Sequence, residues 1–168
     1  TEVELFVPAH GLPISGHDRI VSCLEAVAST LEQLVQDVVS AMNTGATLDD
    51  IVSSVSVDPN ILELPYLRPL YDEPEFVIRN IWRLYGGWWD GKPSRLKPAT
   101  DVDLAKVIAE MAGGAAVLAE RALDLTAVGE FRVACHLIDM ASDTAPDSTE
   151  IHEIRASIYM ERRAAESS

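Results

Sequence analysis

From Asp18 onward the apolar positions step by three and four. Ile20, Leu24, Val27, Leu31, Leu34, Val38 and Met42 fall on one stripe, which predicts an amphipathic helix of more than 20 residues. Val21, Ala28, Val35 and Val39 widen that stripe beyond what a single partner helix covers. Asn43-Thr44-Gly45 ends it with a glycine, the residue that most readily adopts the left-handed conformation of a helix C-terminus. Thr47 is a candidate N-cap for a short helix to about Ser54. Pro59, Pro65 and Pro69 then punctuate a passage that no regular helix could cross. Asp72-Glu73-Pro74 places acids and a proline in a first turn, which predicts a helix to about Leu84.

The second half is helical by the same criterion. Thr100-Asp101-Val102-Asp103 opens a long helix with Leu104, Ile108, Met111, Ala115, Leu118, Ala122 and Leu125 on one face. Gly113-Gly114 falls in its middle and costs about 1 kcal/mol per glycine relative to alanine. A closely approaching second backbone would make that tolerable. After Gly129, helices from about Glu130 to Ser142 and from Ser148 to Ala165 complete an antiparallel set, with Asp147 or Ser148 as the cap. Alanine-rich, short-looped pairs of this kind resemble tetratricopeptide hairpins, without a repeat at fixed period. At the other end, Val3-Glu4-Leu5-Phe6-Val7 reads as a short strand, and the turn-rich Pro8–Gly16 offers it no evident partner. The expected fold class is all-α, an antiparallel helical domain preceded by one stray strand.

Composition narrows the class. With 168 residues, 48% hydrophobic and 24% charged, the chain is long enough for a real core and balanced like a soluble globular domain. No apolar run is long enough for a membrane span. The chain reads as cut from something longer, so Thr1 carries no information on export; a cytoplasmic location is the favoured expectation. A net charge of −14 argues against a nucleic-acid partner. That charge is unevenly spread. The first 67 residues hold one basic residue, Arg19, whereas Arg68, Arg79, Arg83, Lys92, Arg95 and Lys97 crowd into the next 30. Such an island either faces an anion or is consumed in ion pairs that tie a loop down. Cys23 and Cys135 lack metal or redox spacing and read as buried thiols. His17, His136 and His152 form no ligand pattern with one another.

The most specific segment is Tyr85-Gly86-Gly87-Trp88-Trp89-Asp90-Gly91-Lys92-Pro93, with Trp82 just before it and Leu96-Lys97-Pro98-Ala99 after. All three tryptophans lie within eight residues, among glycines and prolines that turn the backbone repeatedly. The expected geometry folds the loop back and buries at least two indoles. Together with Pro65-Tyr66-Leu67-Arg68-Pro69-Leu70-Tyr71 and Arg79-Asn80-Ile81-Trp82-Arg83, the segment resembles the helical dimerisation domain of alkylsulfatases of the metallo-β-lactamase superfamily. The resemblance runs from about His10 to the C-terminus.

That resemblance carries further expectations. Residues 1–16 would be the C-terminal remnant of a metallo-β-lactamase-like catalytic domain, and 17–168 the dimerisation domain. The chain would form a homodimer and work beside a missing catalytic domain that hydrolyses alkyl sulfate esters. His10, in Val7-Pro8-Ala9-His10-Gly11, would be one ligand of the parent's dinuclear zinc centre. The family's His-x-His-x-Asp-His cluster is absent, and catalytic zinc needs about three protein ligands, so no cofactor and no catalytic residue are expected in the chain by itself. A turn histidine of no consequence is the alternative for His10.

The resemblance also places a His-Asn pair of the long alkylsulfatases at about Phe76-Val77, and phenylalanine transfers no proton. The parent would then belong to a shorter branch, with a different ester substrate as one alternative. Arg79, Arg83 and Tyr85 could face a sulfate. The competing reading makes Trp82, Tyr85, Gly86, Gly87, Trp88, Trp89 and Pro93 a packing motif only. A tetratricopeptide-like adaptor that binds another protein is the rival function.

Overall fold

The computed structural model describes residues 2–166; Thr1, Ser167 and Ser168, at the ends of the two expected segments, lie outside them. The chain is mostly helical, with one small two-stranded sheet. It divides into two compact units, one ending at Leu96 and the other beginning at Lys97.

The first unit opens with β1 (Leu5–Phe6) and β2 (Ile14–Ser15), paired antiparallel with Leu5 opposite Ser15 and Phe6 opposite Ile14. The expected strand is therefore not alone. The turn-rich segment is the loop of a hairpin, and the Gly16 N–H closes it on the Glu4 carbonyl at 3.0 Å. The hairpin rests on α1 (His17–Asn43). Gly45, at φ +87°, ends α1: its N–H donates to Met42 O and that of Ala46 to Ala41 O.

Then follow α2 (Leu48–Ser54), α3 (Pro59–Leu62) and α4 (Pro74–Gly86). Thr47 caps α2 through a reciprocal box with Asp50, as its position before two acids predicts. The core of this unit is Leu34 and Val38 of α1, Ile51 of α2, and Ile78, Ile81 and Trp82 of α4. The broad α1 stripe is only partly used, because Leu24 and Leu31 remain 49% and 44% exposed.

The second unit holds α5 (Asp101–Ala112), α6 (Ala115–Ala127), α7 (Phe131–Thr144) and α8 (Thr149–Ala165). The single long helix expected over 100–125 is thus two helices. Gly113 takes the left-handed conformation (φ +101°), and the Gly114 N–H donates back to Ala109 O at 2.7 Å, so the glycine pair terminates α5 as Gly45 terminates α1. α7 is central and packs against α5, α6 and α8. Its core with them is alanine-rich: Ala109, Ala119, Ala122, Ala134 and Ala141 surround Leu118, Ile138, Ile151 and Ile158. Small side chains let the helix axes approach closely. Thr100 caps α5, and Ser148, one of the two residues the sequence offered for the role, caps α8. Across α7 and α8, Asp139 accepts from Arg155 Nε and from Tyr159 Oη, both at 2.7 Å. Burial, and then that carboxylate, push the Tyr159 hydroxyl up to about 12.

Candidate functional site

The aromatic loop grows out of α4. The helix periodicity that buries Ile78 and Ile81 also buries Trp82, leaving it 9% exposed. Its Nε1–H donates to the Trp89 carbonyl at 2.9 Å, so the indole folds the loop back on the helix. Gly87, at φ +83°, makes that reversal possible. Trp89 braces the next turn by donating from Nε1 to Lys92 O at 2.9 Å. Pro93–Arg95 then forms a single 3₁₀ turn.

One expectation about the loop fails. Trp88 is 71% exposed and Trp89 38%, so one indole is buried and not two. The core beneath α4 is already filled by Leu34, Val38, Ile51 and Trp82, and the remaining indoles satisfy the turn or face outward. Leu84 and Tyr85 are likewise exposed, at 76% and 59%.

The loop is tied to the first turn of α2. The Leu48 N–H donates to Asp90 O at 3.1 Å, and Lys92 Nζ lies 2.6 Å from Asp49 Oδ2. Arg95 bridges Asp90 and Asp49. The Lys92 ammonium holds the Asp49 carboxyl below the usual carboxylate range, and the Arg95 guanidinium does the same for Asp90. At Gly91 (φ +93°) an added Cβ would sit 3.3 Å from the Thr47 methyl, so this junction is close as well as charged.

Much of the basic island is therefore consumed locally. Arg68 pairs with Glu63 at 3.4 Å and Arg79 with Glu75 at 2.7 Å, leaving Arg83 and Lys97 exposed without an ion pair among the described residues. Arg79 and Arg83, four apart on α4, share a face. At about 100° per residue the helix turns Tyr85 roughly 160° away from Arg83, so the three do not converge on one point. Phe76 is half-exposed in the first turns of α4.

His10 lies exposed in the β1–β2 loop, its ring stacked on Tyr71 at 6.0 Å between centroids. No group of three or more His, Cys, Asp or Glu among the described residues could hold a metal ion. His10 by itself does not make up a dinuclear zinc centre, and no catalytic step follows from it. Cys23 and Cys135 are buried free thiols. Among the described residues no helix is long and apolar enough to cross a membrane.

Outside the loop, exposed apolar side chains stand on the β1–β2 hairpin, on the segment before α4, where Tyr71 is 90% exposed, and on several helix faces. On α5, Leu104, Val107 and Met111 are 48%, 53% and 80% exposed. Their spacing of three and four puts them on one side, while Ala105 and Ala109 turn inward. The sequence stripe placed Leu104 and Met111 on one face with Leu118 and Ala122, and the fold shows that α7 covers the alanine side of α5.

This helical architecture, with its aromatic loop, has a family. The chain belongs to the alkyl sulfatase dimerisation family, which matches residues 47–168. Among individual proteins it is similar to a linear primary-alkylsulfatase of Pseudomonas sp. (strain ATCC 19151), 28% identical over 156 residues, which cover 92% of this chain and 30% of that protein. It is also similar to an (R)-specific secondary-alkylsulfatase of Pseudomonas sp., 28% identical over 135 residues, 80% of this chain and 20% of the relative. The solved structure of the stereoselective inverting sec-alkylsulfatase Pisa1 from Pseudomonas sp. shares the fold, with a TM-score of 0.86 at 24% identity, over 94% of this chain and 25% of that one. The chain thus spans less than a third of the length of each of these relatives.

Proposed function

We infer that this chain is an assembly module, the part of an alkylsulfatase-like hydrolase that holds two copies together. Membership of the alkyl sulfatase dimerisation family across residues 47–168 is the observation that carries the reading. The helix faces left apolar in the single chain, Leu24 and Leu31 on α1 and Leu104, Val107 and Met111 on α5, support it. The division of labour is residues 1–16 as the edge of a metallo-β-lactamase-like catalytic part and 17–168 as the dimerisation domain. The short-looped helices of the second unit act there as tetratricopeptide-like hairpins.

The parent reaction is metal-dependent hydrolysis of an alkyl sulfate ester, by analogy with relatives named as alkylsulfatases. Its zinc ligands, apart from His10, would lie beyond this chain. The exposed Leu84, Tyr85 and Trp88 would then meet the catalytic part, with Arg83 beside them as a cation open to an anion. Phe76, where the resemblance expects a histidine, favours a branch acting on another ester. Light scattering of the purified chain at tens of micromolar tests the assembly reading. A mass of twice 18.3 kDa is expected, and a monomer there would favour the adaptor reading instead.

A further inference from the structure

We propose that the contact between copies is made by the bare face of α5, Leu104, Val107 and Met111 of one chain lying antiparallel on the same residues of a second. The proposal rests on the assembly reading above and names its surface. Two helix faces carry exposed large apolar residues repeating at spacings of three, four or seven, Leu24 and Leu31 on α1 and Leu104, Val107 and Met111 on α5. The Leu24/Leu31 stripe of α1 lies outside residues 47–168, the segment that defines the dimerisation family, whereas α5 lies within it. The α5 face is also the barer of the two. Met111 is 80% exposed, while neither α1 leucine exceeds 49%.

The arrangement of α5 explains why the face is free. A continuous apolar arc runs round the helix from Ala105 and Ala109, both buried, through the partly buried Ile108 to Leu104, Val107 and Met111. α7 takes the alanine side, where small residues allow close approach, and the large side chains are left over. A helix that served only this unit would carry polar residues there, as α5 does at Asp103, Lys106 and Glu110. A self-complementary patch implies a two-fold axis. With Val107 near that axis, Leu104 of one copy meets Met111 of the other.

Sedimentation velocity on the full chain distinguishes the possibilities. Wild type is expected to sediment as a dimer at tens of micromolar. Val107→Asp and Met111→Asp should each raise the dissociation constant at least tenfold, while Leu24→Asp and Leu31→Asp leave it within about threefold. Circular dichroism on each variant confirms that the helices are intact. Val107→Cys adds a readout independent of loss, since mild oxidation should link it across the axis into a covalent dimer. A wild-type monomer would overturn both the assembly reading and this one. A wild-type dimer that survives Val107→Asp and Met111→Asp, or whose Val107→Cys variant does not cross-link, would overturn the α5 interface and leave the assembly reading standing.

Discussion

Replacing Trp82 by alanine should unfold the first unit at a far lower temperature than replacing Trp88. Trp82 is buried against Leu34, Val38, Ile51 and Ile81, and its Nε1–H holds the Trp89 carbonyl. Truncating a buried tryptophan typically costs about 3–5 kcal/mol, and the lost hydrogen bond accounts for about 1 kcal/mol of that. Set against a total stability of about 5–15 kcal/mol, this corresponds to a fall in melting temperature on the order of 10 °C or more. Trp88 is 71% exposed and donates no hydrogen bond among the described residues, so Trp88→Ala should stay within about 0.5 kcal/mol. Trp82→Phe keeps most of the apolar contact and should fall between them. All three tryptophans belong to the first unit, so intrinsic fluorescence during thermal unfolding reports on that unit directly. Equal losses from Trp82→Ala and Trp88→Ala would refute the assignment of a single anchoring indole.

Other expectations follow from charge and backbone. A chain of net charge −14 meets its own copy against repulsion, so raising sodium chloride should tighten self-association in sedimentation experiments; weakening would point to ion pairs across the interface. Asp49 and Asp90 have folded-state pKa values below their unfolded ones, so their contribution is present above the ordinary carboxylate range and is lost as pH falls below about 4. Tryptophan emission should then shift as the loop releases in acid, and Asp90→Asn should flatten that response. Gly113→Ala places a side chain at φ +101° and should cost about 1–2 kcal/mol by chemical denaturation, whereas an uninterrupted helix through this point would be stabilised by the change.

The starts of α2, α5 and α8 were legible because those ends carry local chemistry. Thr47, Thr100 and Ser148 cap helices through contacts three residues away, a distance that a sequence displays openly. Gly113-Gly114 shows the limit of that legibility. The apolar period continues in phase from Leu104 to Leu125, and periodicity alone cannot separate one helix from two joined at a left-handed turn. β2 went unseen because two residues, Ile14 and Ser15, are too few to show an alternation.

The loop was recognisable as a motif, but its exposure was not. Which indole is buried depends on how much room Leu34, Val38 and Ile51 leave beneath α4, and those residues lie 31 to 48 positions upstream of Trp82. The basic island was visible as composition. Lys92 and Arg95 are spent on Asp49, more than 40 residues earlier, and only the fold reveals that pairing.

Self-association is what the assembly role of this chain requires. Sedimentation equilibrium of the unmodified chain, from low to tens of micromolar, measures it most directly. The expected result is a reversible monomer–dimer equilibrium that approaches twice 18.3 kDa at the upper end. A mass that stays at 18.3 kDa throughout, with the helical circular dichroism intact, would contradict it.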